Sequence, residues 1–268
     1  MKVAVSSEMI PYLRTCADKM TGANDIRTAL EKISAAGYEG VMLDVSKTRL
    51  PAVQQKKYLE ECHLLPAGLL VDDYSMLKET DKREQLLKDC LEMGCEYISF
   101  TGLDREALLD AGRVKEISNV LEGAAAAAKE QGISLALRVK AACFIRREGQ
   151  PVIEEILAQT NALMVEWNTY DMTVGGAYIL EWLEKTKDRT LCVQFEDYQI
   201  DEESDTTFLE CTHHMPSGTV GKGSINWKAV LKACDGIQWG CVTARRPQSP
   251  IYRSAADSLT YLKGQMEV

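Results

Sequence analysis

The sequence has little histidine, no closely paired cysteines and no long apolar run. Three of its 268 residues are histidines, which argues against a zinc cluster built from several imidazoles. The nine cysteines are scattered, odd in number and never spaced as CxxC, so they indicate neither a disulfide framework nor a cysteine zinc site. We interpret them as buried thiols in a reducing cytoplasm.

Positive charge is also in short supply. The chain carries 31 Lys and Arg against 40 Asp and Glu, a formal net charge of -9, which disfavours a nucleic-acid partner. No stretch is long and apolar enough to span a membrane, and the N-terminal MKVAVSSEMIPYLR turns polar too early for a signal peptide. We therefore predict a cytoplasmic protein that binds neither nucleic acid nor membrane, and leave a homo-oligomer open.

Strand and helix patterns alternate along the whole chain. No linker rich in Pro, Gly or Ser divides it, and no GxGxxG follows the first strand, which weakens a dinucleotide-binding alternative. The pattern predicts an α/β fold in which residues 1–268 form a single (β/α)8 TIM barrel with eight parallel strands, although an open doubly wound sheet also satisfies it. Strands are predicted at Lys2–Ser6, Tyr38–Asp44, Ala67–Asp73, Glu96–Gly102, Ile133–Phe144, Ala162–Trp167, Thr190–Asp197 and Ile237–Ala244. Helices are predicted at Asn24–Ala36, Ala52–Cys62, Asp81–Met93, Arg113–Gln131, Pro151–Gln159, Ala177–Lys187, Trp227–Cys234 and Ser254–Lys263.

The fifth predicted strand, GISLALRVKAACF, carries two cations. Arg138 and Lys140 are two residues apart, so in a strand both side chains point the same way. Two cations on an otherwise apolar face are costly to bury without partners. We therefore expect this face to look into a polar site near the end of the strand, where barrel active sites lie.

Several motifs together resemble the xylose isomerase-like TIM barrel superfamily, in its sugar phosphate isomerase and epimerase group. They are, in chain order, YEGVMLD, GISLALRVK, WNTYDM, VQFED, GKGSINW and SAADSLTYLK. The resemblance covers nearly the whole chain. It implies an enzyme of carbohydrate metabolism that isomerises or epimerises a small sugar or sugar phosphate.

The resemblance also implies a divalent metal near the barrel mouth. This sequence lacks the usual ligands of the family at the corresponding positions. The carboxylate of strand five, the aspartate of strand six and the histidine of strand seven fall on Arg138, Asn168 and Gln194. Neighbouring family histidines fall on Lys140 and Asp171, and strand eight offers no carboxylate. The implied metal site is therefore divergent.

No cofactor is expected from this pattern. Manganese or magnesium is expected only if other side chains form a rearranged site, and the candidates are Glu166, Asp171, Glu196 and His214. No residue is therefore assigned as a metal ligand.

Arg138 cannot ligate a metal and carries a permanent charge. One hypothesis is that it replaces the metal's charge, balanced by Glu166, Asp171 or Glu196 on neighbouring strands. In this role it binds a carboxylate, phosphate or enediolate oxygen of the substrate. The alternative is a structural salt bridge in a dead site. Lys140 is either an anion clamp, an imine-forming amine, a partner of Glu196 or a cation that reaches solvent.

Glu166 and Glu196 are the candidates for proton transfer, because each lies near the end of its strand. Two carboxylates on opposite sides of a pocket suit an enzyme that removes a proton next to a carbonyl and returns it elsewhere. Partnership with Arg138 and Lys140 explains these carboxylates equally well. The four residues Glu166, Glu196, Lys140 and Arg138 are the candidate catalytic set.

A second set is expected to bind substrate. Its members are polar side chains near predicted strand ends or in the loops that follow them, namely Asp171, Asn168, Gln194, Asp72, His214 and Arg245. Asp72 alternatively caps a helix, His214 is alternatively an acid or base or a surface residue, and Arg245 is alternatively solvated. The glycine-rich SGTVGKG either presents backbone amides to a phosphate or forms a simple turn.

Three functions remain open from the sequence. The first is an isomerase or epimerase of a small sugar or sugar phosphate. The second is a catalytically inactive barrel that serves as a sugar-binding or regulatory subunit. The third is a lyase or dehydratase, since the superfamily includes such chemistry.

Overall fold

Eight parallel strands close into a barrel with helices between them. The computed structural model describes residues 1–9, 23–44, 50–198, 217–245 and 250–266, with the side chains of 23–25 excluded. The barrel strands are β1 (Lys2–Ser6), β2 (Gly40–Asp44), β3 (Leu65–Val71), β4 (Tyr97–Phe100), β5 (Ser134–Val139), β6 (Met164–Asn168), β7 (Thr190–Phe195) and β8 (Trp239–Val242). Each strand pairs in parallel with its neighbours in sequence, and β8 pairs with β1. The predicted (β/α)8 barrel is therefore confirmed, and the open sheet is not formed.

Helices cover the outside of the barrel. They are α1 (Ala23–Ala35), α2 (Ala52–Glu61), α3 (Ser75–Lys78), α4 (Thr80–Met93), α5 (Ala111–Glu130), α6 (Val152–Ala158), α7 (Thr169–Val174), α8 (Ile179–Lys185), α9 (Trp227–Ala233) and α10 (Ile251–Met266). Short 3-10 turns cover Ala107–Leu109, Ala141–Phe144 and Lys187–Arg189, and two small hairpins pair Arg146–Arg147 with Gln150–Pro151 and Asp197–Tyr198 with Ser217–Gly218. Of the helices in these described ranges, none has both the length and the apolar character needed to cross a bilayer.

The strands are almost wholly buried because both of their faces are covered. In β2 every residue is buried, as expected for a parallel sheet with helices outside and packed side chains inside. The lower barrel interior is filled by side chains that include Met42, Tyr97 and Trp239. Gly68 makes room for the Tyr97 ring, since a Cβ there would lie 2.6 Å from the ring carbon Cζ. The barrel is thus a packed core that opens only at its ends.

Local sequence signals set several helix ends. Gly94 ends α4 in the left-handed conformation with φ of 75°, as the sequence predicts. Helix α5 begins at Ala111, two residues before the predicted start, because the Asp110 side chain accepts a hydrogen bond from the Arg113 amide at 2.9 Å.

The predicted fifth strand is too long. Strand β5 ends at Val139, and Ala141–Phe144 forms a 3-10 turn instead of continuing the strand to Phe144. The reason is that the Ala141 amide donates to the Asp171 carboxylate at 3.2 Å rather than to a sheet partner. Lys140 keeps an extended backbone with φ of −90° and ψ of 161°. It therefore lies just beyond the strand, at the barrel mouth.

The cysteines in the described ranges are free and buried, which confirms the interpretation of these residues as core thiols. They are Cys62, Cys90, Cys95, Cys143, Cys192, Cys234 and Cys241. Burial raises the pKa of the Cys143 thiol to about 11, so this group stays protonated near neutral pH. Cys16 and Cys211 lie outside the described residues.

Candidate functional site

Arg138 stands at the end of β5, enclosed by the protein. Its side chain is only 4% exposed, and its guanidinium pairs with Glu8 through Nη1 and with Glu166 through Nε, which lies 3.4 Å from Oε1. Within the described residues its Nη2 group has no hydrogen-bond partner. A guanidinium has five N–H donors, so this one retains donors for a ligand.

Glu166 lies on β6, directly opposite Arg138 in the strand register. It is fully buried, and its Oε1 accepts a hydrogen bond from Gln194 Nε2 at 2.9 Å. Its Oε2 has no partner among the residues that the structure describes. Burial raises the pKa of Glu166 to about 6, while Arg138, Ser99 and Gln194 act to lower it. Glu166 is therefore mostly ionised at pH 7, and protonating it costs little free energy.

Gln194 belongs to the buried barrel interior. Its amide nitrogen also lies 3.3 Å from the Met42 sulfur, and its Oε1 has no partner in the described part of the chain. It is fully buried, and its described link toward Arg138 is the hydrogen bond to Glu166. We therefore see Gln194 as holding Glu166, while its predicted contact with substrate stays a prediction.

A second network joins the ends of β6, β7 and β8. Asp171 is 4% exposed and binds Arg245 with both carboxylate oxygens, Oδ1 lying 3.2 Å from Nη1. Glu196 is fully buried and accepts from Asn168 Nδ2 at 2.7 Å and from the Arg245 amide at 3.1 Å. The Arg245 guanidinium lies 3.5 Å from Glu196 and stacks over the Tyr170 ring at 5.4 Å. Arg245 is thus ion-paired, while 47% of its side chain stays exposed.

Asn168 explains why this network is ordered. Its Oδ1 accepts a hydrogen bond from the Asp171 amide at 2.9 Å, which caps α7. The sequence analysis predicted no helix between the strand that ends at Trp167 and the helix that begins at Ala177. The cap turns the chain into a helix at the mouth and aims the Asp171 carboxylate at Arg245.

Lys140 is the cation at this mouth that lacks a close partner. It is partly buried, and its Nζ makes no hydrogen bond or ion pair with the residues described here. Burial lowers the pKa of Lys140 and the nearby Arg138 lowers it further, whereas Glu8 and Asp171 act in the opposite direction. The pairing of Lys140 with Glu196 that the sequence left open is therefore not formed in the described structure.

Glu8 is a site residue that the sequence analysis missed. It lies two residues beyond β1 with its side chain 28% exposed, and it pairs with Arg138 across 130 positions of sequence. No motif surrounds it. Its only signal is position, since a residue just after a barrel strand lies at the catalytic end.

The two remaining predicted site residues are Asp72 and His214. Asp72 is exposed just after β3, and its backbone oxygen lies against Gly102. The neighbouring Asp73 makes a local turn contact before α3, in which its Oδ1 accepts a hydrogen bond from the Ser75 amide at 2.9 Å. His214 lies outside the described residues, so its predicted role stays a prediction.

The glycine-rich segment after β7 binds a carboxylate of the protein itself. The Asp197 side chain accepts from the amides of Gly221 at 2.9 Å and Gly223 at 3.1 Å, and from Trp227 Nε1 at 2.7 Å. Asp197 is fully buried. The interpretation of these two amides as a phosphate cradle is therefore wrong, because they are already engaged in forming a turn.

The described carboxylates are not arranged like metal ligands. In the ranges that the structure describes, no three His, Cys, Asp or Glu side chains form a group that could hold a metal ion. Glu166 faces one arginine and Asp171 and Glu196 face another. A guanidinium cannot ligate a cation and repels it, so the described donors do not fit a divalent metal at this position.

Comparison with known proteins relates the chain to others by structure. No family model and no curated protein sequence matches it. A sugar phosphate isomerase/epimerase from Parabacteroides distasonis superposes with a TM-score of 0.76 at 16% identity, over 98% of this chain and 93% of the other. The 3-keto-D-glucoside 4-epimerase of E. coli gives 0.67 at 14% identity, over 98% and 99%. A protein named IolI, whose structure holds a zinc atom, gives 0.65 at 14% identity, over 99% and 96%. The chain therefore has the fold of sugar phosphate isomerase/epimerase structures, which confirms the barrel that the sequence resemblance implied.

Proposed function

We propose that the chain isomerises or epimerises a small sugar or sugar phosphate at the carboxyl-terminal mouth of its barrel. The observation that carries the proposal is the buried Arg138, held between Glu8 and Glu166 with N–H donors to spare. Removal of a proton next to a carbonyl places negative charge on the carbonyl oxygen. A guanidinium fixed in advance by two carboxylates stabilises that charge without reorganising when the charge forms.

Proton transfer in this proposal belongs to Glu8. Its side chain is 28% exposed, whereas Glu166 and Glu196 are fully buried. A general acid or base must come within hydrogen-bond reach of the proton that it moves. Glu166 then acts by orienting Arg138, and Glu196 acts by orienting Asn168 and Arg245. Their direct participation, as predicted from the sequence, requires the arginines to move aside.

The charges that a ligand meets at the mouth favour an anionic sugar. Lys140 is partly exposed and Arg245 is 47% exposed, while the Asp171 carboxylate is buried against Arg245. A phosphate or carboxylate on the substrate therefore encounters the permanent charge of Arg245 and the N–H donors of Lys140, with Glu8 as a partly exposed acid. A sugar phosphate or sugar acid fits this mouth better than a neutral sugar.

The comparisons support this class of chemistry only through fold. Solved structures with the same barrel carry the names of a sugar phosphate isomerase/epimerase and of a keto-glucoside epimerase. One fold can host unrelated reactions, so the proposal depends on the Arg138 site rather than on the names.

A second candidate is a barrel that binds a sugar without converting it. The observation in its favour is that three carboxylates of the site, Glu166, Asp171 and Glu196, are buried and paired with arginines. Such pairing holds a structure together without any need for catalysis. The difference between the candidates is whether a carbon-bound proton exchanges with solvent.

The experiment is deuterium incorporation from D₂O into a panel of aldose and ketose phosphates and sugar acids, followed by NMR. We expect incorporation with the natural protein, and a loss of roughly 10²- to 10⁴-fold in Glu8→Gln, the size typical of a general base. Glu116→Gln, on an exposed glutamate that pairs with Lys78 on the barrel exterior, is the matched control and is expected to keep full activity. Calorimetric binding of a panel member without any exchange favours the second candidate.

A further inference from the structure

Lys140 is the amine at the barrel mouth that the fold leaves without a close partner. The exposed lysines Lys78, Lys82 and Lys222 each lie within 3.3 Å of a carboxylate. Lys140, by contrast, is partly buried and makes no such contact in the described residues. The structure therefore holds a partly buried primary amine at the mouth where we propose that the substrate binds.

Burial, followed by the adjacent Arg138, lowers the pKa of this amine. Arg138, two residues before it, and Arg245 oppose a further positive charge, while Glu8 and Asp171 favour one. Burial is the strongest influence and disfavours the cation, and the pKa of Lys140 is lowered as a result. Desolvation and an adjacent cation are the two means by which a lysine becomes a nucleophile near neutral pH.

A simple anion clamp explains these features less well. A clamp needs a charged ammonium, and the burial and the adjacent Arg138 that lower the pKa of Lys140 oppose that charge. Arg245 already supplies a permanent cation at the same mouth. Lys140 is instead partly buried beside Arg138 and has no carboxylate partner among the described residues, a position that suits nucleophilic attack better than salt-bridge formation.

We infer that Lys140 forms an imine with the carbonyl carbon of the substrate, an inference that rests on the proposed function. The neutral Nζ attacks the carbonyl carbon, the carbon–oxygen bond breaks, and the oxygen leaves as water with one proton from the amine and one from solvent. A protonated C=N bond remains. Glu8 then takes the proton from the adjacent carbon, and the bonding electrons move toward the iminium nitrogen. Return of the proton and hydrolysis by water release the product and the amine, with no change of oxidation state.

Reductive trapping tests the inference directly. The protein is incubated with glycolaldehyde or glyceraldehyde 3-phosphate and sodium cyanoborohydride, and the modified lysines are identified by peptide mass spectrometry. We expect one adduct per chain at Lys140, formed more than about tenfold faster than at Lys222, an exposed lysine paired with Asp257. Lys140→Arg keeps a positive charge without the primary amine and is expected to lose the adduct.

The outcomes separate this inference from the function on which it rests. Labelling of Lys140 at the same rate as Lys222, with either aldehyde, overturns the imine whether or not the variant folds. Full deuterium exchange in a folded Lys140→Arg protein also overturns it and leaves the isomerase proposal standing. Selective trapping at Lys140 without any deuterium exchange supports the imine and removes the isomerase.

Discussion

Replacing Arg138 with methionine should leave two acids facing a buried apolar side chain. The distance of 3.4 Å between Arg138 Nε and Glu166 Oε1 corresponds to a Coulomb attraction of about 5 kcal/mol at an effective dielectric constant of 20. The removed arginine also no longer has to be desolvated, which offsets part of this loss. We expect Arg138→Met to lower the free energy of unfolding by about 3–5 kcal/mol at pH 8.

The loss should depend on pH, because Glu166 can take up a proton. Its folded pKa of about 6 lies above the ordinary value of 4.5, so in the natural protein the stability falls as pH rises through this interval and then levels off. Arg138 holds this pKa down, so in the variant the pKa rises further and stability keeps falling above pH 6, by about 1.4 kcal/mol per pH unit. The variant should therefore lose up to about 2.7 kcal/mol more at pH 8 than at pH 6.

Urea unfolding followed by circular dichroism at pH 6, 7 and 8 measures this difference. The control is Arg138→Met combined with Glu166→Gln, which should show an almost constant loss because the buried acid is gone. The reasoning about this site is refuted if Arg138→Met costs the same free energy at pH 6 and pH 8, or if the double variant retains the full pH dependence.

Two smaller predictions concern the other buried acids. Asp197→Asn should lower the free energy of unfolding by about 2–4 kcal/mol, because an amide side chain replaces a carboxylate that accepts several hydrogen bonds. A red shift of Trp227 fluorescence at low urea should accompany this loss, and unchanged stability would contradict the prediction. Arg245→Met should cost about 3 kcal/mol, because it leaves the buried Asp171 and Glu196 carboxylates without their guanidinium partner. It should also weaken binding of an anionic sugar by about tenfold, measured by calorimetry, and equal affinity for the two proteins would argue against an anion site at Arg245.

The overall architecture could be predicted because local patterns carry it. The strand Lys2–Ser6 was predicted with its observed bounds, and Gly94 ends α4 as expected. Each strand is a short apolar run between helices, and eight such units in this length close a barrel. The end of β5 could not be predicted, since the run AACF stays apolar and the Asp171 carboxylate that draws the Ala141 amide away comes thirty residues later.

The candidate site was only partly predictable for the same physical reason. The sequence located Arg138 and named Glu166 as one of three acids that could balance it, and the structure contains that ion pair. The other two acids, Asp171 and Glu196, lie against Arg245 instead. Which carboxylate pairs with which arginine depends on distances across the barrel mouth. Glu8 was missed because its partner is 130 positions away and no local motif marks it.

Arg138 and Lys140 would stabilise negative charge at the same substrate carbonyl, so their proposed roles must be separated. A guanidinium carries one positive charge spread over three nitrogens and offers hydrogen bonds, whereas a divalent metal ligates an oxygen directly with twice the charge. Arg138, already shared between Glu8 and Glu166, therefore polarises a carbonyl less strongly than a metal would. A protonated imine on Lys140 supplies a stronger electron sink at the same carbon. If Arg138 alone is sufficient for proton removal, Lys140→Arg should exchange deuterium at the natural rate; if the imine is required, that variant should bind the sugar and exchange nothing.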